Sequence, residues 1–153
     1  MKKKILFCSF LIIISGLFHG CNSDSTPELK LKSYIKARFS GGMDKDDVLS
    51  YVTGPFYDFV NEMEGDDFTN FLNLKNLKLN FIKIIDKRCE EQKCFITYLI
   101  DYTLREAGSS KVDFKTQVKK VAELVSIDKE WKIFKIDNLK TLHKASKPID
   151  ITN

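Results

Sequence analysis

The side chains of this 153-residue protein best suited to chemistry are four cysteines, two histidines and five tyrosines. Cys89 and Cys94 bracket Glu90-Glu91-Gln92-Lys93, a polar stretch between two segments of alternating apolar residues. A loop of that kind sets its flanking residues opposite one another across a hairpin, within reach of a disulfide, so a Cys89–Cys94 bond is expected. A zinc site would need two further ligands, and beyond the start of the chain only His143 remains, so neither metal nor cofactor is expected. Tyr98 and Tyr102 fall on one side of an alternating segment and Asp101 on the other, which separates the nearest acid from the phenols. Asp58 reads as a solvated helix carboxylate, and His143, among Lys140, Lys144 and Lys147, as an exposed imidazole. No P-loop, GxSxG, HExxH or GxGxxG occurs. With no convergent base, acid and nucleophile, the expectation is a protein that is not an enzyme.

Composition sets the frame for these residues. With 43% hydrophobic and 30% charged residues, seven Gly and three Pro, the chain reads as one globular domain with a special segment attached. The formal charge is +4, but Lys2, Lys3 and Lys4 stand in a start segment without acids, which leaves 22 bases against 21 acids. A near-neutral body gives no reason to expect a nucleic-acid partner.

The start segment has its own logic. After the three lysines, Ile5 to Phe18 is apolar apart from Cys8, Ser9, Ser15 and Gly16, and His19-Gly20-Cys21 follows. About fourteen such positions fall short of the ~20 that span a bilayer, and the order is that of a cleavable export signal. Phe18-His19-Gly20-Cys21 resembles the lipobox of bacterial lipoproteins, although Phe18 and His19 depart from the usual Leu and small residue. That resemblance implies diacylglyceryl and palmitate attachment at Cys21, with ordinary secretion and a free Cys21 thiol as the alternative. It also implies, through Asn22 in place of an Asp, transfer to the outer membrane facing the periplasm. The resulting division is 1–20 signal, 21–28 tether, 29–142 domain and 143–153 tail.

Within the domain, helical spacing places Leu31, Tyr34, Ile35 and Phe39 on one face of a first helix, with Lys30, Lys32, Lys36 and Arg38 elsewhere around its axis. Asp44 is expected to cap a second helix that Gly54-Pro55 interrupts. A third stretch carries Phe56, Phe59 and Val60, and Asp66 or Asp67 is expected to cap a short fourth.

The period changes to two at Leu77. Strands are expected from Leu77 to Lys87, with a bulge at Phe81-Ile82, and through Cys94, Ile96, Tyr98, Ile100, Tyr102 and Leu104. Pairing Cys89 with Cys94 then sets Ile85 against Tyr98, Phe81 against Tyr102 and Leu79 against Leu104. Turns at Glu106–Ser110 and Asp128–Glu130 lead to a third and a fourth strand, with Tyr102 opposite Phe114 and Tyr98 opposite Val118. The last strand pair reads as apolar on both sides, with Val125, Ile127, Trp131 and Ile133 on one and Leu124, Phe134 and Ile136 on the other. A surplus of this kind calls for a cover, and Val125, Trp131 and Ile133 are the expected interface.

N-terminal helices packed on a curved antiparallel sheet make an α+β fold. The order of elements, and Asp128-Lys129-Glu130-Trp131-Lys132-Ile133 as a terminal turn with Trp-Lys-Ile, resembles the cone-shaped, cystatin-like fold of nuclear transport factor two-like proteins, small bacterial lipoproteins among them. The resemblance implies a pocket between sheet and helices, lined here by Tyr57, Phe81, Tyr98, Tyr102 and Phe114. Two functions are carried forward. One is a lipid-anchored cell-envelope module for interaction or assembly, joined to a protein partner or a second copy. The other is a binding protein for a small apolar or amphipathic ligand. An isomerase- or dehydratase-like enzyme ranks third, for want of a base inside the pocket.

Overall fold

The computed structural model describes residues 26–74, 76–105 and 112–145. Cys21, the start segment, the turn expected at Glu106–Ser110 and the residues after 145 lie outside these. The order is α1 (Pro27–Ser40), α2 (Lys45–Tyr51), α3 (Gly54–Glu62), α4 (Gly65–Leu72), β1 (Leu77–Glu90), β2 (Lys93–Arg105), β3 (Val112–Ile127) and β4 (Glu130–Ala145).

Local chemistry explains the helix ends. Pro27 takes the first position of α1, where its missing N–H costs nothing, and Thr26 Oγ1 accepts from Leu29 N at 3.3 Å. In α2, Asp44 and Asp47 form a reciprocal capping box, with bonds of 2.8 and 3.1 Å. The expected cap on α4 is corrected: Glu64 stands at that position without a side-chain bond, and Asp66 and Asp67 lie in the first turn, where they favour the positive end of the dipole. Among the described residues no helix is long and apolar enough to cross a membrane.

The sheet is a four-stranded antiparallel meander in the order β1-β2-β3-β4. Helices before an antiparallel sheet make the fold α+β. The narrower expectation of a nuclear transport factor two-like cone is corrected, because its two supports discriminate poorly. Any chain with helices before hairpin-linked strands shares the element order. The Asp128-Lys129 motif reduces to a local demand: both residues hold positive φ, 51° and 67°, in a two-residue turn between Ile127 and Glu130.

Cys89 and Cys94 are Cα partners joined by a disulfide, and Glu90 pairs with Lys93, so the turn between them is Glu91-Gln92 alone. Register elsewhere departs from expectation. Slips at Asn80 and Ile85 set Leu79 against Tyr102, Phe81 against Asp101 and Ile84 against Tyr98. Across β2 and β3 the pairs are Leu104–Phe114, Tyr102–Thr116, Ile100–Val118 and Tyr98–Lys120. That is a shift of two from the expected pairs, which leaves the facing of every side chain unchanged.

The two-residue Asp128-Lys129 turn, shorter than the expected Asp128–Glu130, and a further slip decide how the last strands are covered. Leu124 pairs with Ile133 and Glu123 with Lys135, so Phe134 is the extra residue of a bulge. Ile133, Phe134 and Ile136 therefore all turn toward the helices. Thr53 N donates to Ile133 O at 2.9 Å, and Phe134 lies over Gly54. The expected interface is corrected accordingly: Ile133 is fully buried and Trp131 packs on the same core, while Val125 faces outward opposite Lys132. The core joins Leu31, Tyr34 and Ile35 of α1 and Val60 of α3 to Ile96, Tyr98 and Ile100 of β2 and to Leu124 of β3. Each such burial contributes about 1.5–3 kcal/mol before entropy is counted.

Candidate functional site

A cavity of about 260 Å³ lies between the helices and the inner face of the sheet. Its walls are aromatic where α3 and α4 close it, with Phe59 and Phe71 at 6.3 Å between centroids and near-perpendicular rings. Phe56 stands edge-on to Tyr34 at 6.1 Å. Tyr98, Ile100 and Ile136 supply the floor. A second cavity, of about 510 Å³ between the end of α1 and α4, shares Arg38, Phe39 and Leu74 with the first.

Polar groups converge on one part of this apolar space. Tyr34 and Arg38 are four residues apart on α1, hence on one helix face. The Arg38 guanidinium carbon lies 4.2 Å from the Phe71 centroid and 6.0 Å from that of Tyr34, and its Nη2 donates to Phe71 O. From the sheet comes Lys120, the cross-strand partner of Tyr98. Arg38 Nε and Tyr34 Oη are buried without a hydrogen-bond partner among the described residues. Burial, and secondarily Tyr34, pushes the Tyr98 phenol well above its ordinary value. Burial raises Tyr34 too, against the opposing charge of Arg38. It lowers Lys120, and the nearby Arg38 lowers it further.

Of the five residues expected to line a pocket, Tyr98 alone reaches this one. Tyr102 packs at 5.7 Å on Phe39, outside it. Tyr57, Phe81 and Phe114 are about two-fifths exposed, Phe81 on the outer face, where the slip at Asn80 puts it beside Asp101. Asp101 is fully buried on that outer face, accepting from Asn80 Nδ2 at 2.7 Å and Gln117 Nε2 at 2.8 Å, with Lys115 Nζ at 3.5 Å. Burial would raise its pKa, but these partners outweigh it and hold the carboxyl below its ordinary value. His143 lies within β4, its Nδ1 3.0 Å from Thr116 Oγ1. Among the described residues no group of His, Cys, Asp and Glu could hold a metal ion.

Arg38 and Lys120 are the residues that sequence reasoning passed over. Arg38 resembles the other cations of α1, and only its spacing from Tyr34 sets it apart. Lys120 keeps step with Val118, Ala122 and Leu124, all buried, so strand parity alone points it inward.

A solution structure of a SEC-C motif containing protein from Rhodopseudomonas palustris superposes with a TM-score of 0.55 at 10% identity, covering 77% of this chain and 82% of that one. The likeness is one of fold, and it replaces the nuclear transport factor two-like resemblance, which is withdrawn. No family model and no curated protein matches the chain.

Proposed function

We propose that this domain binds a small amphipathic molecule in the cavity between α1, α3, α4 and the sheet. The observation that carries the reading is the pairing of aromatic walls with unpartnered polar groups at one place, Tyr34 Oη and Arg38 Nε. Binding sites combine mostly apolar lining with a few placed polar atoms in this way. Assembly through the outer face is the second reading: Ile133 and Trp131 turn inward, which weakens it, while Val125 and the exposed Ile127 keep it open.

Export and acyl anchoring through Cys21 belong to the same proposal and rest on Lys2 to Cys21 alone. Labelled palmitate retained by the wild-type chain and lost in Cys21→Ser supports the anchor; an unlabelled wild type removes it.

N-phenylnaphthylamine, an apolar dye that fluoresces when shielded from water, tests the cavity. Saturable enhancement is expected in the wild type and its loss in Ile100→Phe, which fills the floor. Equal enhancement in a folded Ile100→Phe would overturn the reading.

A further inference from the structure

We infer that the molecule is an organic acid, its carboxylate held by Arg38 and Lys120 with the Tyr34 hydroxyl, and its hydrocarbon part against Phe56, Phe59 and Phe71. The inference rests on the binding reading above and adds the charge of the ligand to it.

Two cations reach the same cavity from opposite layers of the fold, Arg38 from α1 and Lys120 from β3. Among the described residues no Asp or Glu lines that cavity and neither cation forms a salt bridge. Both cations are half-buried, and like charges brought together with part of their hydration removed repel unless an anion joins them. The local partners account for only part of Arg38: the Phe71 carbonyl takes Nη2, and the Phe71 ring covers one face of the guanidinium. Its Nε has no hydrogen-bond partner among the described residues, and Tyr34 Oη, whose residue is 1% exposed, meets no polar side chain but that of Arg38 itself, too loosely to satisfy either.

A carboxylate satisfies all of these groups together. It accepts from the guanidinium edge, from the ammonium and from the phenol, and its negative charge offsets both cations. The lowering of Lys120 fits this picture, because an anion beside it would restore its proton affinity. At about 260 Å³ the cavity is smaller than the roughly 300–1,000 Å³ of sites for drug-sized ligands, which favours a compact acid. The aromatic walls favour a flat or short-chain hydrocarbon part over a sugar or a peptide.

Cinnamate and cinnamyl alcohol share one skeleton and differ in charge, and calorimetric titration of the full chain with each separates the claims. Cinnamate is expected to bind about ten- to a hundredfold more tightly, the range for hydrogen bonds to charged groups. In Arg38→Met and Lys120→Met the ratio of acid to alcohol affinity should fall towards one, and Lys120→Arg should retain it. Circular dichroism checks each variant, and if Arg38→Met does not fold, the Lys120 pair decides. Equal affinity for acid and alcohol, or an advantage that survives in folded Lys120→Met, overturns the inference and leaves the binding reading standing. Failure of both ligands to bind a wild type that still enhances the dye overturns the inference alone, and failure of the dye as well overturns the two together.

Discussion

Gly54 opens α3 with a φ of +57°, and a Cβ built there would lie 2.6 Å from Phe134 Cδ2 and closer still to Cε2. Gly54→Ala therefore meets two penalties. The left-handed backbone costs an L-residue about 1–2 kcal/mol. Crowding the half-buried Phe134 ring adds about 1–3 kcal/mol. Gly65 is the natural control: its φ is +49°, and a Cβ there has nothing within 4 Å, so Gly65→Ala bears the backbone penalty alone. Urea unfolding of both variants isolates the ring contact as the difference, expected at about 1–3 kcal/mol. Adding Phe134→Leu to Gly54→Ala should recover part of it, as neighbours that clash couple strongly. If Gly54→Ala proves no worse than Gly65→Ala, Phe134 does not sit over α3. The bulge that turns Phe134 toward the helices would then be wrong, and with it the placement of Phe56 and Phe59.

Three further perturbations probe other parts of the fold. Ile133→Ala should cost about 2–5 kcal/mol as a core truncation, whereas Ile127→Ala, at a position 45% exposed, should stay within about 0.5 kcal/mol; similar costs would return Ile133 to the surface. Asp101→Ala leaves the amides of Asn80 and Gln117 unpaired and should cost about 1–3 kcal/mol. Because the folded carboxyl titrates below the ordinary 3.8, its contribution is present above that pH and fades as pH falls through the lowered value; a wild type and variant with parallel acid unfolding below pH 4 would contradict this. Replacing Cys89 and Cys94 together by Ser should remove about 2 kcal/mol, the entropy of so short a closed loop, and an unchanged urea midpoint would refute that contribution.

How far the sequence revealed this fold depended on whether each element obeyed a strict period. The Asp44 capping box, the break at Gly54-Pro55 and the alternation from Cys94 to Leu104 are local signals, and the chain folds as they dictate. A bulge is a single residue out of step, and nothing in composition marks which residue it is. The slips at Asn80 and Ile85 consequently upset the expected pairs of β1, and a turn of two residues, Asp128-Lys129, in place of the expected three turns Trp131 and Ile133 inward and upsets the expected outer patch of β4. The cavity was hidden for a different reason. Arg38 and Lys120 come from elements more than eighty residues apart, and a cation is read as solvated until the face opposite it is known. Tyr98 was legible because its own strand fixes its direction.

The cavity as the seat of binding is tested most directly by following backbone amide resonances of the chain during titration with N-phenylnaphthylamine. Saturable shifts concentrated at Tyr34, Phe59, Phe71, Tyr98 and Lys120 are the expected result. Shifts confined to outer-face residues such as Phe81 and Phe95, or none at saturating dye, would contradict it.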